Sequence, residues 1–134
     1  MQSTLDRHVE IRDAIRDLCK NFPDEYHRAI DEARGYPEAF VDALTQAGWL
    51  AALIPQEYGG SGLGLSEASV IMEEINRCGG NAGACHGQMY NMGTLLRHGS
   101  ETQNVSTCLR SLRGDCACSR WGLPNLRRVL TQQI

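Results

Sequence analysis

Apolar residues recur at intervals of three and four over the first hundred positions, the spacing that gathers them on one face of an α-helix. Five amphipathic helices are predicted. Their expected inward-facing residues are, helix by helix, Val9, Ile11, Ile15, Leu18, Cys19 and Phe22; Tyr26, Ala29, Ile30 and Ala33; Phe40, Val41 and Leu44; Ala68, Ile71, Ile75 and Cys78; and Ala82, Cys85, Met89, Met92 and Leu96.

Proline and glycine mark several boundaries of these helices. The first helix is predicted over residues 4–20. Pro23 and Pro37 are expected to open the second and third, because proline is tolerated in a first helical turn, and Gly35 and Gly48 to end them. The remaining predicted boundaries are Ser66 and Asn81 as N-caps of the fourth and fifth helices, and Gly99 as the end of the fifth.

A glycine-rich connection, residues 48–64, joins the third and fourth helices. It reads GWLAALIPQEYGGSGLG. Two readings stay open: glycines that merely permit a tight connection, or a constrained loop that serves a functional site. A phosphate-binding loop is excluded, because no GK[ST] follows and no strand precedes it.

The helical pattern fails after Gln103. Residues 104–134 show no sustained period, so they are predicted to be an irregular tail behind an all-α domain of residues 1–103. The charge changes at the same point. Residues 1–103 carry 8 basic and 15 acidic side chains, whereas the tail carries 5 arginines and one acid.

The composition narrows the class of protein. A chain of 134 residues with 42% hydrophobic and 22% charged side chains is expected to form one globular domain. No membrane span and no secretory signal is recognised, so a cytoplasmic location and six free thiols are expected. The acidic body argues against nucleic-acid binding.

Several ordered blocks resemble the N-terminal helical domain of flavin-dependent acyl-CoA dehydrogenases. The resemblance covers most of residues 5–103. The blocks are Gly48-Trp49, Ile54-Pro55, Glu57-Tyr58-Gly59-Gly60, Gly62, Glu73-Glu74-Ile75 and the corner from Leu96 to Ser100.

This resemblance implies a parent enzyme that uses FAD to dehydrogenate an acyl-CoA thioester, assembles as a homo-oligomer and passes electrons to an electron-transfer flavoprotein. In that family the FAD site and the catalytic carboxylate lie in later domains. No catalytic and no cofactor-binding residue is therefore assigned, and the chain alone is expected to be inactive. One face of the fifth helix matches the family's acyl-chain pocket, which makes Ala82, Cys85, His86 and Met89 the candidate substrate-binding residues, although a purely structural histidine is the commoner case.

Other candidate groups favour structural readings. Glu73 and Glu74 are expected to be solvated rather than catalytic. No metal site is predicted, since Cys116 and Cys118, with Cys108 nearby, lack further ligands. The remaining histidines are expected to be solvated: His8, His27 and His98.

The sequence of residues 104–134 can be explained by a shift of the reading frame. Codons that begin one base earlier than the frame encoding residues 104–134 can spell KYLPEIAAG, and later VTEP, which resemble the family's continuation. The hypothesis is the loss of one base after the Gln103 codon. The alternative is a non-enzymatic helical interaction module whose basic tail binds an acidic partner.

Overall fold

The computed structural model describes residues 8–112, which are mostly helical and contain no strand within that range. The prediction of an all-α fold is confirmed. Two short 3-10 turns, Trp49–Ala51 and Gln56–Tyr58, lie between the third and fourth α-helices. The α-helices are α1 (Val9–Cys19), α2 (Asp24–Glu32), α3 (Glu38–Gln46), α4 (Leu65–Arg77), α5 (Gly83–His98) and α6 (Glu101–Leu112).

The predicted caps of α4 and α5 are close to the observed ones. Gly64, not Ser66, precedes α4, and its N–H donates to the Glu67 carboxylate at 3.0 Å. Ser66 already lies in the first turn of the helix. At α5 the N-cap is Ala82 rather than the predicted Asn81, although Asn81 Oδ1 accepts from the Gly83 N–H at 2.7 Å.

The main core lies between α1, α3, α4 and the first half of α5. Phe40 at its centre is fully buried and meets the edge of the Phe22 ring at a centroid distance of 5.2 Å. Three predicted inward positions are wrong, since Val9, Ala29 and Ala33 are exposed. The buried members of this core are Ile15, Cys19, Phe40, Val41, Leu44, Leu50, Ala52, Ala68, Ile71, Ile75, Ala82, Ala84, Cys85 and Met89.

Helix α2 explains two of those misses, because it covers the core rather than entering it. It contains no buried residue. Only its half-buried side chains, such as Tyr26 and Ile30, touch the interior, and the Tyr26 ring packs on Phe22 at a centroid distance of 5.1 Å. The helical spacing of apolar residues in α2 therefore predicted more buried residues than this peripheral helix has.

The glycine-rich loop is an integral part of the packing. Gly48 adopts φ 83°, which ends α3. Ile54 is buried, and its carbonyl accepts the Gly62 N–H at 2.8 Å. A Cβ at Gly60 would lie 2.1 Å from the Ile54 carbonyl oxygen, so this position has no room for a side chain. Steric need accounts for the glycine at that position.

Helix α6 corrects the prediction that no element follows Gln103. It crosses that residue without a break and buries Asn104, Cys108 and Ser111, which are spaced by four and three. The pattern was missed because two of these three are polar. Cys108 lies in a second core cluster beside Met92 and Leu95 of α5. Residues 113–134 lie outside the described range, so the domain boundary and the irregular tail stay predictions.

Candidate functional site

An ion cluster joins α1 to α4, and it consists of Arg12, Arg16, Glu73 and Glu74. Glu74 is fully buried. Its Oε1 accepts from Arg12 Nη1 at 2.6 Å and from Arg16 Nη2 at 2.9 Å, while its Oε2 accepts from Arg16 Nε at 2.9 Å. Arg12 also donates to Glu73 at 2.9 Å.

The surroundings of Glu74 fix its charge. Burial alone would raise the pKa of this carboxyl, but hydrogen bonds from Arg16 and Arg12 outweigh burial and lower the pKa below its usual value. A carboxylate held in this way is a poor proton acceptor. The expectation that Glu74 is solvated is therefore wrong.

Two cavities flank α5, and His86 lines both. The first cavity, about 660 Å³, lies between α2, the residues after it and the start of α5. Its mixed lining includes the polar side chains of His27, Asp31 and Arg34. The second cavity, about 420 Å³, lies between α4 and α5. Its apolar wall consists of Leu53, Leu65, Ala68, Met72 and Met89.

The second cavity differs from the first in charge. Thr94, Arg97 and His98 supply polar groups along α5. Among the described residues that line it there is no Asp or Glu. An apolar wall with basic groups nearby is suited to a hydrocarbon chain that bears an anionic group at one end.

The four predicted substrate-binding residues divide between core and cavity. His86 is exposed, and its ring lies 5.2 Å from that of Tyr90. Met89 lines the second cavity while most of its surface is buried. Ala82 and Cys85 are buried in the main core, and neither is among the described lining residues of either cavity.

The other histidines occupy different surroundings. His98 is exposed, as expected, and His8 is half-buried with Nδ1 3.5 Å from a Glu67 carboxylate oxygen. His27 contradicts the expectation of a solvated ring. It packs edge-on against Phe40 at a centroid distance of 5.1 Å, and its buried Nε2 has no hydrogen-bond partner.

The cysteines described by the structure are free thiols. Burial raises the pKa of Cys85 to about 12, so little of this thiol is present as the reactive thiolate. Cys108 is also buried, within the second core cluster. Cys116 and Cys118 lie outside the described residues. Within residues 8–112 no three potential metal ligands come together.

The chain was compared with known proteins. Residues 6–115 match the family described as the acyl-CoA dehydrogenase N-terminal domain. A probable acyl-CoA dehydrogenase, FadE25, from Mycobacterium tuberculosis is 34% identical over 98 residues, which are 72% of this chain and 25% of that protein. Mitochondrial isovaleryl-CoA dehydrogenase from Bos taurus is 36% identical over 78 residues, or 57% of this chain and 18% of the relative.

Together with the all-helical fold, these matches identify the class of protein. The chain belongs to the acyl-CoA dehydrogenase family and corresponds to its N-terminal helical domain. It spans about a quarter of the length of the FadE25 relatives. No solved structure matches it. Within the described part of the chain, every helix is too short or too polar to cross a membrane.

Proposed function

We propose that this domain forms one wall of the acyl-binding site of an enzyme that dehydrogenates acyl-CoA thioesters with FAD. The observation that carries the proposal is the second cavity, whose apolar wall includes Met72 and Met89 and whose described lining contains no carboxylate. An acyl chain would be buried there with no carboxylate beside it. His86 would lie at the rim, since it is exposed and lines both cavities.

The described residues do not fit FAD by themselves. The start of α5 beside the first cavity is capped internally, because Asn81 Oδ1 already accepts the Gly83 N–H that a phosphate would need. The one buried carboxylate among the described residues, Glu74, is paired with two arginines. We therefore assign FAD, the catalytic base, homo-oligomer contacts and electron-transfer flavoprotein binding to other parts of the parent enzyme.

The 134-residue chain alone is proposed to be inactive. Purified chain is expected to show no flavin absorbance and no dye reduction with an acyl-CoA. Full-length FadE25, treated in parallel, is the positive control. A flavin spectrum together with substrate-dependent dye reduction by the chain would contradict the proposal.

Acyl binding is tested with methyl-labelled methionine. Octanoyl-CoA is expected to shift the methyl NMR signals of Met72 and Met89, which line the second cavity. Met92, which is buried in the second core cluster, is an internal control and should not move. Free coenzyme A is the control ligand. Equal shifts at Met92, or no shift at Met72 and Met89, would count against the acyl site.

The reading frame of residues 104–134 is a separate proposal. We retain the loss of one base after the Gln103 codon as the origin of the basic tail. Resequencing the gene tests it, because a sequence that cannot encode KYLP and VTEP in the shifted frame eliminates the explanation. The charge change favours the second candidate, an interaction module for an acidic partner, if the frame proves intact.

A further inference from the structure

Helices α1 and α4 lie side by side and run in the same direction. Near their N-termini His8 Nδ1 lies 3.5 Å from Glu67 Oε1, a pair 59 positions apart. Further along, Arg16 Nε lies 2.9 Å from Glu74 Oε2, a pair 58 positions apart. Arg12 and Glu74, also in contact, are 62 positions apart. Partners whose numbers rise together along both helices are the signature of parallel neighbours.

Two cysteines at the C-terminal ends of these helices are separated by a similar number of positions. Cys19 is the last residue of α1 and Cys78 directly follows α4, again 59 positions apart. The contact continues beyond them, since Asp24 Oδ1 lies 2.8 Å from the point where Gly79 would carry a Cβ. Both cysteines belong to the main core, where the half-buried Cys78 packs against the cluster that contains Cys19.

We propose that Cys19 and Cys78 form a reversible disulfide on exposure to a low-molecular-weight disulfide such as oxidised glutathione. Neither the family membership nor the acyl-binding proposal assigns a function to this pair. The cross-link would join α1 covalently to α4 and close a loop spanning more than half of the described residues.

The difference in exposure sets the order of the two exchange steps. Cys78 is half-buried, whereas Cys19 is 5% exposed. The Cys78 thiolate attacks one sulfur of oxidised glutathione and releases one glutathione thiolate. Burial and the neighbouring Cys78 raise the pKa of Cys19 to about 12, so little of it is thiolate near neutral pH. That small thiolate fraction attacks the Cys78 sulfur of the mixed disulfide and releases the second glutathione thiolate. Two protein thiols are oxidised, one glutathione disulfide is reduced, and the two protons pass to the released glutathiones.

The remaining described cysteines are less accessible to oxidised glutathione than Cys78 is. Cys85 is fully buried in the main core, and Cys108 lies in the second cluster with 1% of its surface exposed. Neither is accessible to a glutathione-sized disulfide in the folded protein. The structure thus favours one pairing over the others.

The full 134-residue chain with Cys116→Ser and Cys118→Ser tests the pairing, since this background leaves four of the six cysteines. After treatment with oxidised glutathione, free thiols are expected to fall from four to two. Trypsin should then release residues 17–20 linked to residues 78–97. Dithiothreitol should reverse the cross-link.

The peptide of residues 78–97 also contains Cys85, so matched variants assign the sulfur. Cys78→Ala is expected to abolish the linked peptide, and Cys85→Ala to retain it. The oxidised chain should melt roughly 10 °C higher than the reduced chain, because the cross-link restricts the unfolded state. A link that persists in Cys78→Ala, an unchanged thiol count, or the same linked peptide in equal yield from urea-unfolded chain would each overturn the proposal.

Discussion

The ion cluster between α1 and α4 allows the loss of unfolding free energy in Glu74→Gln to be predicted. Glutamine keeps the shape of the side chain but removes the charge that neutralises Arg12 and Arg16. Removing one partner of a buried ion pair costs about 3–5 kcal/mol of unfolding free energy. Because the Arg16 side chain is 40% exposed and can regain water, we expect the lower end of that range, about 3 kcal/mol. With a urea dependence of about 2 kcal/mol per molar, the midpoint should fall by about 1.5 M.

Glu73→Gln is the matched control, since it makes the same chemical change one position away. The Glu73 side chain is 55% exposed and contacts Arg12 at 2.9 Å. A surface pair of this kind contributes at most about 1 kcal/mol. Urea unfolding followed by circular dichroism measures both variants. Equal losses of unfolding free energy in the two variants, or a loss below about 1 kcal/mol for Glu74→Gln, would refute the claim that Glu74 provides most of the cluster's stabilisation.

The same variant gives a pH signature. Because the folded-state pKa of Glu74 is lowered, its contribution to stability is complete above the unfolded pKa of about 4.3 and is lost as pH falls through the folded value. The difference in unfolding free energy between the unmodified chain and Glu74→Gln should therefore be constant near neutrality and shrink in acid. A difference that grows on acidification would contradict the sign of the shift.

Two further predictions concern the loop and the thiols. Gly60→Ala should lower the unfolding free energy by about 3 kcal/mol, because its Cβ would collide with the Ile54 carbonyl. Gly93→Ala in α5 is the control, since a Cβ there would have nothing within 4 Å. It should be neutral or stabilising by up to about 1 kcal/mol. Thermal unfolding distinguishes them, and similar midpoints would disprove the steric argument. Native chain treated with iodoacetamide should label Cys78 well before Cys85, whose pKa burial raises to about 12, and peptide mapping that finds equal rates would contradict this order.

Periodicity predicted most of the helical framework because burial in this domain follows apolar spacing. The core positions of α3 and the first half of α5 illustrate this, since Phe40, Val41 and Met89 are all buried. The same rule failed for polar side chains. Glu74 lies three positions after Ile71 on the buried stripe of α4, and that placement was the available signal for its burial.

Contacts between residues that are far apart in the sequence could not be predicted from one sequence alone. Nothing local indicates that Arg12 meets Glu74, or that the hydroxyl of Tyr58 donates to Glu101 at 2.9 Å. The family resemblance placed the candidate acyl-binding face on α5, the helix that two cavities border. Helical spacing alone did not tell that Met89 would border a cavity while Cys85 would lie in the core.

The pairing of α1 with α4 also constrains how the domain folds. Arg12 and Glu74 are 62 positions apart, so α1 has to await the synthesis of α4 before its buried arginine is neutralised. Closing so long a loop costs conformational entropy before any contact compensates for it. Contacts of this separation slow folding relative to bundles in which successive helices pair. On the ribosome, α1 is thus fixed in place only after α4 has been made.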